Sequence, residues 1–146
     1  MKILIINGPN LNMLGQRQPD IYGKESFEET LLKLREIHSG VDIDYAQSNS
    51  EGEIIDFLQS AARNKTLSGI VINPGAYAHY SIAIADALAM LDIPVVEVHV
   101  SNIHAREEFR RKSVTASECM AVIAGCGRTG YSLAIEFILS TLREQQ

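Results

Sequence analysis

The residues whose types and spacing could do chemistry fall in a few short stretches. Arg17 and Tyr22 share the seventeen-residue run Asn7 to Gly23, which also carries Asn10 and spends three Gly, two Pro and three Asn on turns. Asn73, Gly75 and His79 follow one apolar run, and His99, Val100 and Ser101 close another. Arg106, Arg110 and Arg111 form a basic cluster just beyond. Two histidines offer proton exchange near neutrality, and a local basic cluster can bind a small anion. Long loops without periodicity inside a compact domain are usually functional. Each piece also has a plainer account. The Asn residues of the first loop could merely tolerate left-handed turns, and Asn73-Pro74-Gly75 could be only a tight turn. His79 could simply stand near a helix start, His99 could be a core histidine bonded to a backbone carbonyl, and the arginines, beside Glu107 and Glu108, could form a solvated helix face.

Position separates the two accounts. The aliphatic run Ile3 to Ile6 reads as a strand buried on both faces. Ser26 to Glu29 has the S-x-x-E form of a capping box, followed by Phe27, Leu31, Leu34 and Ile37 at helical spacing until Gly40. Val41, Ile43 and Tyr45 alternate with polar residues, which predicts a strand with one wet face at a sheet edge. Ser50 to Glu53 repeats the capping signature before a helix carrying Ile54, Leu58 and Ala61. Gly69 to Asn73 is a third strand, and Ser81 caps a helix running to about Leu91. Pro94 to Val100 and Met120 to Ala124 are the fourth and fifth strands, and a last helix spans Tyr131 to about Arg143. Strands separated by helices imply a mostly parallel sheet covered on both faces, a doubly wound flavodoxin-like α/β fold of order 2-1-3-4-5. Such sheets bind ligands beyond the carboxyl ends of their strands, at the switch between the first and third. Three separated segments then deliver polar side chains to one rim, and independent plain accounts for all three become hard to sustain.

The rest of the composition bounds the class. The 146 residues are 46% hydrophobic and 21% charged, which suits one catalytic domain over residues 1–146. A net charge of -5 argues against nucleic-acid or anionic-membrane surfaces. Cys119 and Cys126 match no zinc or redox spacing and read as two structural thiols, and nothing before the first strand resembles a signal peptide, so a cytoplasmic protein is expected. Charges and Pro94 interrupt the apolar stretch from Ile82 to Val100, which excludes a transmembrane helix there. Gly125 to Gly130 fits G-x-G-x-x-G between a strand and a helix, but neither a further strand nor the required acidic residue follows. Those glycines are read as close strand-to-helix packing.

Four stretches together resemble the type II 3-dehydroquinate dehydratases: GPNLNMLG at Gly8 to Gly15, R-x-P-x-x-Y-G at Arg17 to Gly23, INPGAYAH at Ile72 to His79, and EVHVSNIHAREEFR at Glu97 to Arg110. The resemblance covers the whole chain, with small departures at Gln18, Ala78 and Tyr80. It implies a flavodoxin-like fold, assembly as a dodecamer of trimers, and removal of water from 3-dehydroquinate without metal or cofactor, in the shikimate or quinate pathway. Tyr22 then looks like the base, His99 the acid for the departing hydroxyl, and Asn10 the holder of a water against the enolate oxygen. Asn73, Ser101 and the amides of Val100 and Ser101 would hold the carboxylate, His79 and Arg110 the ring hydroxyls, and Asp86 would reach the site from a neighbouring subunit. Arg106, Gly75 and Glu97 are supporting positions, and residues 10–23 form a mobile lid.

A free phenol ionises near pH 10, so a tyrosine base needs help. A shift of two pKa units requires about 2.7 kcal/mol, and one charge about 4 Å away at an effective dielectric near 20 supplies up to about 4 kcal/mol. Arg17 is the nearest cation in sequence, with Arg106 a second contributor by the resemblance. Other classes fit less well. A flavin-binding electron carrier would want a Ser/Thr-rich phosphate loop after the first strand, a receiver module would want acidic residues where Asn7 and Asn73 stand, and a serine hydrolase using Ser101 would want a G-x-S-x-G elbow.

Overall fold

The computed structural model describes residues 1–144; Gln145 and Gln146, the end of the expected 1–146 domain, lie outside the described residues. Five parallel strands, β1 (Lys2–Asn7), β2 (Asp42–Gln47), β3 (Gly69–Asn73), β4 (Val95–His99) and β5 (Ala121–Ala124), form one sheet of order β2-β1-β3-β4-β5. The helices are α1 (Pro19–Tyr22), α2 (Phe27–Ile37), α3 (Glu51–Arg63), α4 (Ile82–Leu88) and α5 (Thr129–Glu144). The order is the expected flavodoxin-like one, and among the described residues no helix is long and apolar enough to cross a membrane.

Alternation along the strands divides the core. Ile3, Ile5, Val71, Val96 and Val98 point to one face, where Phe27, Leu31 and Leu34 of α2 and Tyr131, Ile135 and Ile138 of α5 cover them. Ile6, Ile70, Ile72 and Val95 point to the other, beneath Ile54 and Leu58 of α3 and Ile84 and Leu88 of α4. Each such aliphatic removed from water contributes about 1.5–3 kcal/mol, which is what fixes the sheet between its two helical layers. β2 lies at the edge as its pattern predicts, with Asp42 and Asp44 exposed and the Lys2 ammonium 2.8 Å from Asp44.

Three elements depart from the sequence pattern. Ser26 and Glu29 make both bonds of a capping box, whereas Ser50 caps α3 alone, because the Glu53 carboxylate turns aside to the Ser48 hydroxyl. α4 stops at Leu88, not Leu91, since Met90 and Leu91 donate to carbonyls three residues back and tighten the chain out of the α-helix. The long first loop is not structureless: it holds a 3-10 turn at Leu11–Met13 and the single turn α1. One turn is too short to show a period, and the left-handed Gln18 (φ 43°) before Pro19 starts it.

Candidate active site

The site is built where β1 and β3 lie side by side. Asn7 and Asn73 end these strands in register, and the Gly8 amide donates to the Asn73 carbonyl at 2.8 Å. The two following loops touch: a Cβ on Gly8 would overlap the Pro74 carbonyl, and Gly75, at φ +61°, lies against Pro9. Below them Tyr131, fully buried on α5, donates to Asn7 Oδ1 at 2.8 Å and accepts from Asn73 Nδ2 at 2.9 Å. Burial pushes the Tyr131 phenol well up despite those two bonds, so it stays a neutral clamp. Asn73 Oδ1 in turn accepts from the Gly75 amide at 3.1 Å. Asn10 stands in the left-handed region at φ 68°, where its amide donates to Asn49 Oδ1 at 2.9 Å.

A cavity of about 260 Å³ opens above these strand ends. Asn10, Arg17 and Tyr22 line it from the first loop, Asn73, Gly75 and His79 from the third strand's end, and His99, Val100, Ser101, Arg106 and Arg110 from the fourth. Leu11 and Leu14 anchor the first loop in the core, both buried, and carry the chain over the cavity. The phenol of Tyr22 meets Arg106: Nη1 donates to the hydroxyl at 2.8 Å and reaches Ser101 Oγ at 3.5 Å. The cation beside Tyr22 is thus Arg106, 84 residues away, rather than the Arg17 that sequence proximity suggested. Arg17 lines the same cavity from an exposed position, with the reversal at Gln18 between it and α1.

His99 is not satisfied by a backbone carbonyl. Its Nε2 lies 2.8 Å from Glu97 Oε2, and Glu97 is fully buried and further held by the hydroxyls of Ser113, at 2.8 Å, and Thr115. Burial pushes the Glu97 carboxyl up, but the His99 hydrogen bond and charge with those of the two hydroxyls outweigh it and leave the group below its ordinary 4.5. An ionised carboxylate only accepts, so His99 Nε2 carries the hydrogen and Nδ1 is left for a ligand. His79, at the end of the 3-10 turn Gly75–His79 and two residues before the α4 cap Ser81, is near a helix start as expected but also donates from Nδ1 to the Lys112 carbonyl at 2.7 Å. That bond leaves its Nε2 as the acceptor of the neutral ring, and the two imidazoles lie stacked with centroids 6.1 Å apart.

Arg110 has its Nε 3.0 Å from Glu107 Oε2 without the alignment of a hydrogen bond, and stacks over Phe109. Arg111 instead donates to the Arg106 carbonyl at 3.1 Å and so braces the loop from outside. Asp86 does not line the cavity of its own chain; it is exposed on α4. Cys126 is likewise exposed, which corrects its reading as a structural thiol, whereas burial pushes the half-buried Cys119 up to about 12 and makes it inert. Of the motif glycines only Gly130 packs strand to helix, since a Cβ there would press on Val98 at 3.3 Å; Gly125, at φ +83°, lies against Asn102, and Gly127, at φ +57°, faces open space. The pattern reading missed Tyr131, Ser113 and Thr115. Only Tyr131 left a signal, an aromatic hydroxyl in an apolar helical stripe that must find a partner once buried.

The family model for dehydroquinase class II matches residues 1–139. A protein of Clostridium acetobutylicum named 3-dehydroquinate dehydratase is 55% identical over 144 residues, covering 97% of this chain and 99% of its own. Its namesake in Clostridium perfringens is 51% identical over 145 residues, covering 98% of this chain and all of its own. The crystal structure of type II dehydroquinase from Butyrivibrio crossotus superposes with a TM-score of 0.91 at 50% identity, covering 94% of this chain and 97% of that one.

Proposed function

The chain belongs to the class II dehydroquinases, which are hydro-lyases, and from that membership we propose that it converts 3-dehydroquinate to 3-dehydroshikimate through an enolate, in the shikimate or quinate pathway. The observation that carries the mechanism is the pair of opposed charge relays across one cavity: Arg106 on the phenol of Tyr22, and Glu97 on the imidazole of His99.

The substrate has a ketone at carbon 3, which acidifies the protons on carbon 2, and a hydroxyl and carboxylate on carbon 1. Tyr22, as phenolate beside the Arg106 guanidinium, takes a carbon 2 proton and becomes a phenol. The electron pair moves onto the carbon 3 oxygen, where a water held by Asn10 stabilises the enolate. When the pair returns, the carbon 1–oxygen bond breaks, and His99, acting as an imidazolium whose Nε2 hydrogen stays on Glu97, gives the proton on Nδ1 to the departing hydroxyl; the proton on Tyr22 then passes back through water to His99 and resets both groups. One water leaves and one carbon–carbon double bond forms, so the reaction needs no oxidant or cofactor. Asn73, Ser101 and the Val100 and Ser101 amides hold the carboxylate, and His79 and Arg110 grip ring hydroxyls. His79 Nε2, an acceptor in the neutral ring, suits a hydroxyl donor. Arg17 closes the lid of residues 10–23 over the bound ring and excludes water. A homo-oligomer, a dodecamer of trimers by family resemblance, brings a neighbour's Asp86 to each site.

The direct test is an ultraviolet assay for the conjugated enone formed from 3-dehydroquinate. Turnover that disappears in Tyr22→Phe while substrate still binds is the expected result. Assembled, folded protein without any turnover would overturn the assignment.

A further inference from the structure

The glycine-rich turn between β5 and α5 offers no dinucleotide fingerprint, yet it carries Arg128, and that side chain crosses to the first loop. Nη2 of Arg128 donates to the Tyr22 carbonyl at 2.9 Å, and Nη1 donates to the Ser26 carbonyl at 3.0 Å and to Thr30 Oγ1 at 3.0 Å. Between Tyr22 and Ser26 the chain turns at Gly23, φ +79°, and the guanidinium lies over that glycine, 3.9 Å from where a Cβ would stand. We propose that Arg128 is a positioning residue, which clamps the trailing end of the lid to α2 and so aims the Tyr22 phenol at Arg106.

Electrostatics sharpen the point. A helix N-terminus favours anions, so a guanidinium at the start of α2 works against the dipole. Glu25, held below its ordinary range first by Lys33 and least by the Arg128 charge, is bound by Lys33 at 2.7 Å and by Thr30 at 2.9 Å, and among the described residues it makes no salt bridge with Arg128. All three acceptors of Arg128 are neutral, two carbonyls and a hydroxyl. What the residue supplies is a rigid planar fork that spans both sides of the hinge, which a lysine ammonium cannot reproduce. A misplacement of about 1 Å at a reacting group costs on the order of 100-fold in rate, so holding one carbonyl next to the base matters.

The proposal rests on Tyr22 as the base, and its test separates the two. Amide hydrogen exchange over residues 17–24, measured without substrate, reads the clamp whichever residue does the chemistry. In Arg128→Met that segment should exchange faster and kcat should fall at least about tenfold. Arg128→Lys should recover part of kcat, since an ammonium can reach one of the two carbonyls. Activity surviving in Tyr22→Phe would remove the base and leave the exchange result standing. Wild-type exchange in Arg128→Met, or a loss of thermal stability with kcat unchanged in both variants, would overturn the clamp.

Discussion

Tyr22 and His99 are each held by a single charged neighbour, and removing that neighbour should cost turnover. Arg106 Nη1 donates to the phenol oxygen at 2.8 Å and fixes where that oxygen stands in the cavity. In Arg106→Ala the bond that aims the phenol is lost, and kcat/KM should fall on the order of 100-fold. Arg17→Ala, which takes away a cation not bonded to the phenol, should lower kcat/KM by a smaller factor. Equal losses in the two variants would sink the claim that Arg106 positions the base. Glu97 carries a separate consequence, for stability. Its folded-state carboxyl lies below the ordinary 4.5, so its contribution is complete above that value and is lost as the pH falls through the folded one. Urea midpoints should therefore drop on acidification below about pH 4.5 in the wild type. Glu97→Gln should begin about 1–3 kcal/mol less stable at pH 7 and fall less steeply in acid. Parallel curves for the two proteins would count against the buried carboxylate.

The elements place these groups through backbone contacts that leave no slack. Gly8→Ala would drive a methyl group into the Pro74 carbonyl, so the loops after β1 and β3 must separate, carrying Asn10 away from Asn73. A displacement near 1 Å predicts a loss in kcat/KM on the order of 100-fold with near-normal circular dichroism, and a fully active Gly8→Ala would show the two loops to be independent. Much of this scaffold was legible beforehand. Ile3 to Ile6, Gly69 to Asn73 and the Ser26 capping box announce themselves because period and cap are local. That Asn10, His79 and His99 line one cavity was legible for a different reason: long motifs place them at or just beyond strand ends that share a rim. What could not be read were pairings made by chain reversal. Arg106 reaches Tyr22 across 84 residues, Thr115 reaches Glu97 across 18, and Tyr131 bridges Asn7 and Asn73 from the last helix. Sequence proximity favoured Arg17, and folding favoured Arg106.

For the molecule as a whole, α4 is the face that a single chain leaves unexplained. Ile82 and Asp86 stand one turn apart on its outer side, and Tyr80 just before it and Met90 just past its end are exposed as well. Ile82 is 68% exposed and Met90 51%, large apolar surfaces flanking one carboxylate. Exposed apolar groups around a charge are the composition of an interface, and Asp86, which misses its own chain's cavity, acquires a use if a neighbour's site lies against it. Asp86→Ala should then weaken both assembly, seen by sedimentation, and turnover. A sharper experiment mixes subunits. Tyr22→Phe lacks the base but keeps Asp86, and Asp86→Ala keeps the base, so each homo-oligomer is impaired at every site. If a site takes its lid from one chain and its carboxylate from the next, dissociating the two variants and reassembling them in equal amounts creates intact sites in about one case out of four. About a quarter of wild-type turnover should appear on mixing and stay absent when the variants are combined without dissociation. Mixed oligomers with no more activity than the average of their parents would place Asp86 outside the site and reduce the α4 face to an assembly contact.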